Sequence, residues 1–416
     1  MLPRLAIRVH ALSPRPRTSA ASCISTPAAT ARPKRPSHLA GILKAPLVYG
    51  LGGSLRLHAF PGSISNLYAV EYCETGRVLL LDAGCASDFA RVQAYLFSRG
   101  LSSANVAMVI SSHAHPDHAG AAHKWKEIGV RVVAPRGINE WYAGPFGFMQ
   151  WRIETGLVRY LETLHIGPFL AAFPAIVNQY WPSKKVWFPR HLDWDREIPI
   201  PGPLAPREEL DVPVMLDEAF ADWVAVPVPG HTDHMVALYH AATRTLYAAD
   251  SLVNVRPKHG LQYSIQQDFL PLQVDSLVRL SRLEVRHLLM AHGGACTVGA
   301  LGEMPPLPDE LDEGLDEGLE EGLDAGGGEG GGAVGGKGRQ ARQVAVRRPH
   351  LSIDFRGTLL KLAASLHGLR RVPSLKGWRG FAHEFIYLPT TFAPRNRRIA
   401  KALRRRAEAE EAAAAK

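Results

Sequence analysis

Ser111-Ser112-His113-Ala114-His115-Pro116-Asp117-His118-Ala119-Gly120 places three histidines and one aspartate within six consecutive positions. The stretch before it, Val106 to Ser111, is apolar and rich in β-formers. The stretch after it, Ala119 to Gly129, reads as a helix closed by glycine. The cluster therefore sits on a strand-to-helix turn, where several side chains converge on one point. Neutral imidazole and carboxylate are the ligands that Zn²⁺ takes, and such sites also accept iron or manganese. This stretch is a metal site, and the fold has to be one that builds around it.

A hydrolytic metal site needs protein ligands and an open position for water, and two ions need a bridging group. Downstream, the apolar strand Trp223 to Val228 leads into Pro229-Gly230-His231-Thr232-Asp233-His234. Two strand-like runs follow, Val236 to His240 and Leu246 to Ala249, and the second ends in Asp250. After a helix-like stretch, Leu272 to Glu284, the strand His287 to Met290 runs into Ala291-His292-Gly293-Gly294. Each of His231, Asp250 and His292 thus lies at the carboxyl end of a strand, as a convergent site requires.

Five segments, Leu80-Leu81-Asp82-Ala83-Gly84, His113 to His118, Pro229-Gly230-His231-Thr232, Asp250 and Ala291-His292-Gly293, resemble in order and strand context the motifs of the metallo-β-lactamase superfamily. The resemblance covers Tyr49 to Ala300. It implies an α/β fold, a four-layer αβ/βα sandwich with two mixed sheets inside, helices outside and the metals at one edge. It also implies two Zn²⁺ ions, with Fe or Mn as alternatives. His113, His115 and His231 would bind the first ion, Asp117, His118 and His292 the second, and Asp250 would bridge them. Asp82 would support the site by hydrogen bonding without touching metal. The presence of both His118 and Asp250 is closer to the glyoxalase II, lactonase and nuclease branches than to the true β-lactamases. Pro229 to Met235 is also similar to the Gly-His-Thr-Asp-Asp-His-Met run of lactamase-β-like endoribonucleases, one residue shorter.

Metal ions lower the pKa of water to about 7, so hydroxide is available at neutral pH, with Asp117 as the catalytic group that holds it. Two readings compete: a glyoxalase II-like hydrolase of thioesters, esters or lactones, and a metal-dependent endonuclease of single-stranded RNA. Residues 71–302 carry 20 Lys+Arg and 23 Asp+Glu, so no basic groove is evident in the metal-bearing stretch. Cys85 and Cys296 lie near the motifs and read as small half-buried thiols, since the ligand set is already full.

The net charge of +9 belongs to the N-terminus: nine basic residues precede the first acidic one, Glu71, leaving 39 basic against 39 acidic in the rest of the chain. Residues 1–45, rich in Arg, Ser, Thr, Ala and Pro, read as a disordered organelle transit peptide, mitochondrial in preference to plastid, so the expected location is an organellar matrix. Four cysteines without a Cys-x-x-Cys give no disulfide framework, and no apolar run is long enough to span a membrane. Residues 46–300 form the metal-bearing domain. Within it, residues 138–191 are an aromatic-rich helical insert read as a lid, substrate wall or dimer surface, with Trp151 and Trp181 as substrate contacts. Arg256, Lys258 and Tyr263, in the loop after Asp250, could hold an anionic end of a small-molecule acyl substrate. Residues 301–340, with Leu-Asp-Glu-Gly repeats and a glycine tract, form an acidic disordered linker. Residues 341–416 hold 17 Lys+Arg against 5 acidic residues, a basic and partly helical extension that could bind nucleic acid.

Overall fold

Leu79, Leu80 and Leu81 are all buried, and a strand buried at consecutive positions must be covered on both faces. That requirement organises the domain. The computed structural model describes residues 46–52, 54–163, 192–254, 261–263, 269–293, 296–297, 354–366 and 393–414. One sheet runs in spatial order β1 (Leu47–Gly52), β2 (Leu55–Pro61), β3 (Asn66–Tyr72), β4 (Arg77–Leu81), β5 (Val106–Ile110), β6 (Arg131–Pro135) and β7 (Arg196–Ile198). β1 to β4 pair antiparallel, and β4 to β7 pair parallel. The second sheet contains β8 (Val214–Met215), β9 (Trp223–Pro227), β10 (Val236–His240), β11 (Thr245–Tyr247), β12 (His287–Leu289) and β13 (Cys296–Thr297). Its spatial order is the reverse of chain order, and β11–β12 is its parallel pair.

Alternation along the first sheet divides the interior in two. Leu79, Leu81, Met108, Ile110 and Val133 pack with Trp223, Ala225, Leu238 and Tyr247 of the second sheet. Val78, Leu80, Val109, Val132 and Ala134 face outward, onto Val92 and Leu96 of α1 (Asp88–Ser98) and Trp125 of the helix after the histidine cluster. The expected sandwich of two mixed sheets with helices outside is therefore the architecture observed. The helix expected over Ala119 to Gly129 is instead two pieces, α2 (Pro116–Ala119) and α3 (Ala122–Glu127). It starts earlier because Pro116, at the first turn, is already set for helical φ. It is interrupted because Ala121, which caps α3, donates its N–H outward to the Gly84 carbonyl.

The described part of the aromatic insert contains α4 (Gly144–Thr163), which packs against α2. Trp141, Tyr142 and Trp151 are buried in the outer core, whereas Phe146 and Phe148 are exposed. After the short α5 (Arg207–Leu210), α6 (Leu270–Leu280) covers the second sheet. The C-terminal extension contributes two helices, α7 (Phe355–Leu366) and α8 (Pro394–Ala414). Both enter the cores: Phe355, Leu359, Ala363 and Leu366 join the inner cluster, and Ile399 and Leu403 the outer one. Among the described residues, no helix is long and apolar enough to cross a membrane. The expectations for residues 1–45 and 301–340, for Trp181, and for Arg256 and Lys258 lie outside the described residues.

Because Leu359 is fully buried, Leu359→Ala should lower unfolding free energy by about 2–5 kcal/mol, the usual cost of such a core truncation. Urea unfolding of the full chain checks this, and an unchanged midpoint would mean that α7 is not part of the core.

Candidate metal centre

The ends of β4, β5, β9, β11 and β12 open onto one edge of the sandwich, and the loops leaving them carry every histidine and aspartate singled out above. Two groups form. His113, His115, His231 and Asp250 bring their donor atoms within 4.8 Å of one another, and so do Asp117, His118 and His292. Within the first group, His115 Nδ1 lies 3.1 Å from His113 Nε2 and 2.8 Å from His231 Nε2. Within the second, Asp117 Oδ2 lies 3.5 Å from His118 Nε2 and 3.2 Å from His292 Nε2. Asp250 faces both groups. Its Oδ2 is 3.3 Å from His231 Nε2, while its Oδ1 is 3.3 Å from His118 Nε2 and 3.4 Å from His292 Nε2. Tetrahedral ligands bonded at about 2.0–2.1 Å are separated by about 3.3 Å, so the spacing fits divalent cations.

Close backbone approach sets these positions. A Cβ on Gly293 would meet the Asn254 carbonyl oxygen at 2.6 Å, because the Asn254 N–H donates to the His292 carbonyl at 2.9 Å. The loops bearing Asp250 and His292 are thereby tied together. Asn66 and Tyr68 of β3 hold the second loop from the opposite sheet, their side chains donating to the Met290 carbonyl at 3.1 and 2.8 Å. A Cβ on Gly230 would overlap Gln273 Oε1, so glycine lets α6 press against the turn that presents His231.

Asp82 sits behind the second group in the left-handed region, at φ 69°. Its Oδ2 accepts from His118 Nδ1 at 2.6 Å, from Ser112 Oγ at 2.9 Å and from the Tyr247 hydroxyl at 2.5 Å. Its Oδ1 accepts the Ser112 N–H at 2.6 Å. The His118 bond fixes the tautomer that leaves Nε2 for the centre.

The two groups carry opposite charge habits. Burial, reinforced by His118 and His115, holds His113 well below the usual imidazole range. Burial likewise lowers His115 to about 4, and burial with His115 lowers His231 to about 3. Burial also opposes the charge on His118, but Asp117, Asp250 and Asp82 outweigh it and hold that imidazole well above its ordinary value. Desolvation also opposes the charge on His292, but Asp250 and Asp117 outweigh it and raise that imidazole to about 10. The carboxyls respond in kind, since His118 and His292 overcome burial and depress both Asp117 and Asp250.

One contributor was not legible in the motifs. Glu154 of α4 places Oε1 3.5 Å from His115 Nε2, and its carboxyl takes hydrogen bonds from Tyr142 and Gln150. Burial raises it to about 8 against the pull of those two donors. Of the substrate contacts expected, Trp151 is 3 % exposed and packs the insert onto the domain, and Tyr263 is half-buried against the inner core. Cys85 is buried and forms no disulfide. Solvent reaches the centre at His292, whose side chain is 20 % exposed, and at Asp117, at 13 %.

The sequence profile of the metallo-beta-lactamase superfamily matches residues 61–292. No curated protein matches the chain. Among solved structures, the chain is similar to a metallo-beta-lactamase from Hirschia baltica, at 11% identity and a TM-score of 0.37 over 61% of this chain and 92% of that one. It is also similar to a metallo-beta-lactamase family protein from Thermus thermophilus, at 21% identity and a TM-score of 0.36 over 61% of this chain and 73% of that one.

Two outcomes follow from the geometry and the charges. Asn tolerates the left-handed backbone that Asp82 adopts, so Asp82→Asn isolates the loss of the carboxylate. It should weaken binding of one metal equivalent about 10- to 100-fold, as read by chelator competition. Cations bind deprotonated ligands. Loading the Asp117–His118–His292 group at pH 7 should therefore expel the protons of His118 and His292, while loading the three-histidine group expels almost none. The affinity of the second equivalent should rise with pH up to about 10, whereas that of the first is flat above about 5. Calorimetry in buffers of different ionisation enthalpy measures this, and equal proton release at both steps would contradict the charge assignment.

Proposed function

Because the chain belongs to the metallo-beta-lactamase superfamily, whose profile spans residues 61–292, we propose that it is a dinuclear hydrolase acting on a thioester, ester or lactone carbonyl. The sharing of Asp250 between two ligand groups carries this reading. His113, His115 and His231 would hold one zinc ion and Asp117, His118 and His292 the other, with Asp250 within reach of both groups. Divalent ions so placed polarise a substrate oxygen and lower the pKa of water from 15.7 to about 7.

The chain's own residues do the rest. Asp117 is the catalytic carboxylate: depressed by its two histidine neighbours, it stays an acceptor at neutral pH and orients the attacking water through a hydrogen bond. Its partial exposure beside His292 puts it where substrate enters. Asp82 holds His118 in place, and the buried wall of Trp141, Gln150 and Glu154 excludes water on the His115 side. No serine or cysteine nucleophile is required.

A second reading, hydrolysis of single-stranded RNA at the same centre, draws on one observation. Arg397, Arg398, Lys401, Arg404 and Arg405 are exposed along α8, a cationic face of the kind that tracks a phosphate backbone. The N-terminal 45 residues are assigned to targeting into an organellar matrix.

Acylglutathiones, acyl-coenzyme A thioesters, lactones and short RNAs, assayed with the zinc-loaded full chain at two salt concentrations, separate the readings. Turnover of a carbonyl substrate with little salt dependence is expected; RNA cleavage that falls steeply with salt would replace the leading reading. Asp250→Ala should lose tight binding of both equivalents and nearly all turnover. Asp117→Ala should lose one equivalent only, and retention of both equivalents in Asp250→Ala would remove the bridging role.

A further inference from the structure

Asp233 and His234 follow closely on His231 and are buried, yet neither belongs to either ligand group. His234 is directed at the other ligand segment: its Nε2 accepts the backbone N–H of Ala114 at 3.2 Å. Ala114 is the residue between His113 and His115, so this bond sets the backbone from which both histidines project. An Nε2 that accepts requires the proton on Nδ1, and Asp233 Oδ1 takes that proton's hydrogen bond at 2.9 Å. The other oxygen, Asp233 Oδ2, meets Arg395 Nη1 at 2.6 Å. Arg395 Nη2 reaches Glu140 Oε2 at 3.2 Å.

Arg395 stands in the first turn of α8, far along the chain from the ligands. The helix is already anchored by Ile399, Ala400 and Leu403, all buried, so holding α8 to the domain does not by itself call for this ion pair. What does call for it is the carboxylate of Asp233, whose side chain is fully buried. A buried carboxylate needs a cation and hydrogen bonds to remain ionised in place. The planar guanidinium supplies the cation, spanning Asp233 and Glu140 at once, while His234 Nδ1 supplies a hydrogen bond.

We propose that Arg395 is a positioning residue of the metal centre: through Asp233 and His234 it fixes the backbone between His113 and His115, so the C-terminal helix completes the first ligand group. The proposal rests on the reading of His113, His115 and His231 as metal ligands. It also changes the role of the basic C-terminal extension, because a chain ending near Ala300 would lose part of the support for its own ligands as well as a cationic surface.

The test is zinc binding by the full chain, measured as competition of zinc chloride with a chromophoric chelator, well below the unfolding temperature of each variant. Arg395→Met should weaken the tighter zinc equivalent about tenfold, the low end for loss of an outer-shell partner, with far-ultraviolet circular dichroism unchanged. Arg404→Met, an exposed position on the same helix, should bind zinc as wild type does. Folded Arg395→Met with wild-type zinc affinity would overturn the relay while leaving the metal reading intact. Wild type that takes up no zinc would overturn both. Should Arg395→Met fail to fold, Arg395→Lys decides. That variant keeps the charge but only one of the two contacts, and a zinc affinity between that of wild type and a loss of about tenfold supports the relay, whereas wild-type affinity overturns it.

Discussion

The carboxylate of Asp82 is where the fold and the chemistry meet. It accepts from Ser112 at the end of β5, from His118 on α2 and from Tyr247 on β11 of the opposite sheet. One buried side chain thus pins two strands of one sheet, the helix that carries the candidate ligands Asp117 and His118, and the facing sheet. Its left-handed backbone costs about 1–3 kcal/mol for a non-glycine residue, a strain that four converging donors, including the imidazole of His118, can offset. The packing between the sheets and the aim of His118 are therefore one constraint: the sheets cannot separate at Tyr247 without releasing the group that orients the ligand.

A second consequence is the division of charge across the centre. The three-histidine group is buried and neutral, so it presents lone pairs to a cation without first giving up protons. The other group balances its carboxylates with protonated imidazoles. Seven convergent polar side chains are thereby stable together in a site of low exposure, because unpaired charge is avoided in both halves. Asp250 belongs to both balances. Removing it would unpair two imidazoles on one side and remove an acceptor from the other, which makes it the least replaceable of the seven in electrostatic terms.

Much of this was legible in the sequence, and the reason is local. His113 to His118, His231, Asp250 and His292 each follow a strand whose apolar pattern is plain, so their placement at strand ends could be read from periodicity. β10, Val236–His240, falls where the strand-like run put it. The pairing of donor atoms was not legible. That His115 turns Nδ1 inward while His113 and His231 use Nε2 depends on rotamers set by surrounding packing. Tyr247 carries no motif, and its hydroxyl reaches Asp82 only because β11 lies opposite β4 across the core. Glu154 and Arg395 were hidden for a related reason. Each stands on a helix whose sequence shows an amphipathic stripe and nothing more, and its partner is set by how that helix docks. The basic composition of α8 drew attention to its cationic surface, whereas Asn396, Ile399, Ala400 and Leu403 form a buried stripe at helical spacing beneath the arginines.

Both appended elements converge on the same few atoms. Glu154 approaches His115 from α4, and Arg395 reaches the Ala114 backbone from α8 through Asp233 and His234. Trp141 packs edge-on against the rings of His115 and His234, with centroids at 6.1 and 5.6 Å. The His113–His115 turn is thus enclosed on its far side by segments that the sheets alone would not supply, while His292 keeps partial exposure. An enclosed side fixes ligand geometry and keeps water out; an open side admits substrate. In this chain the added segments take the first role at His115, and the partial exposure of the centre lies at Asp117 and His292.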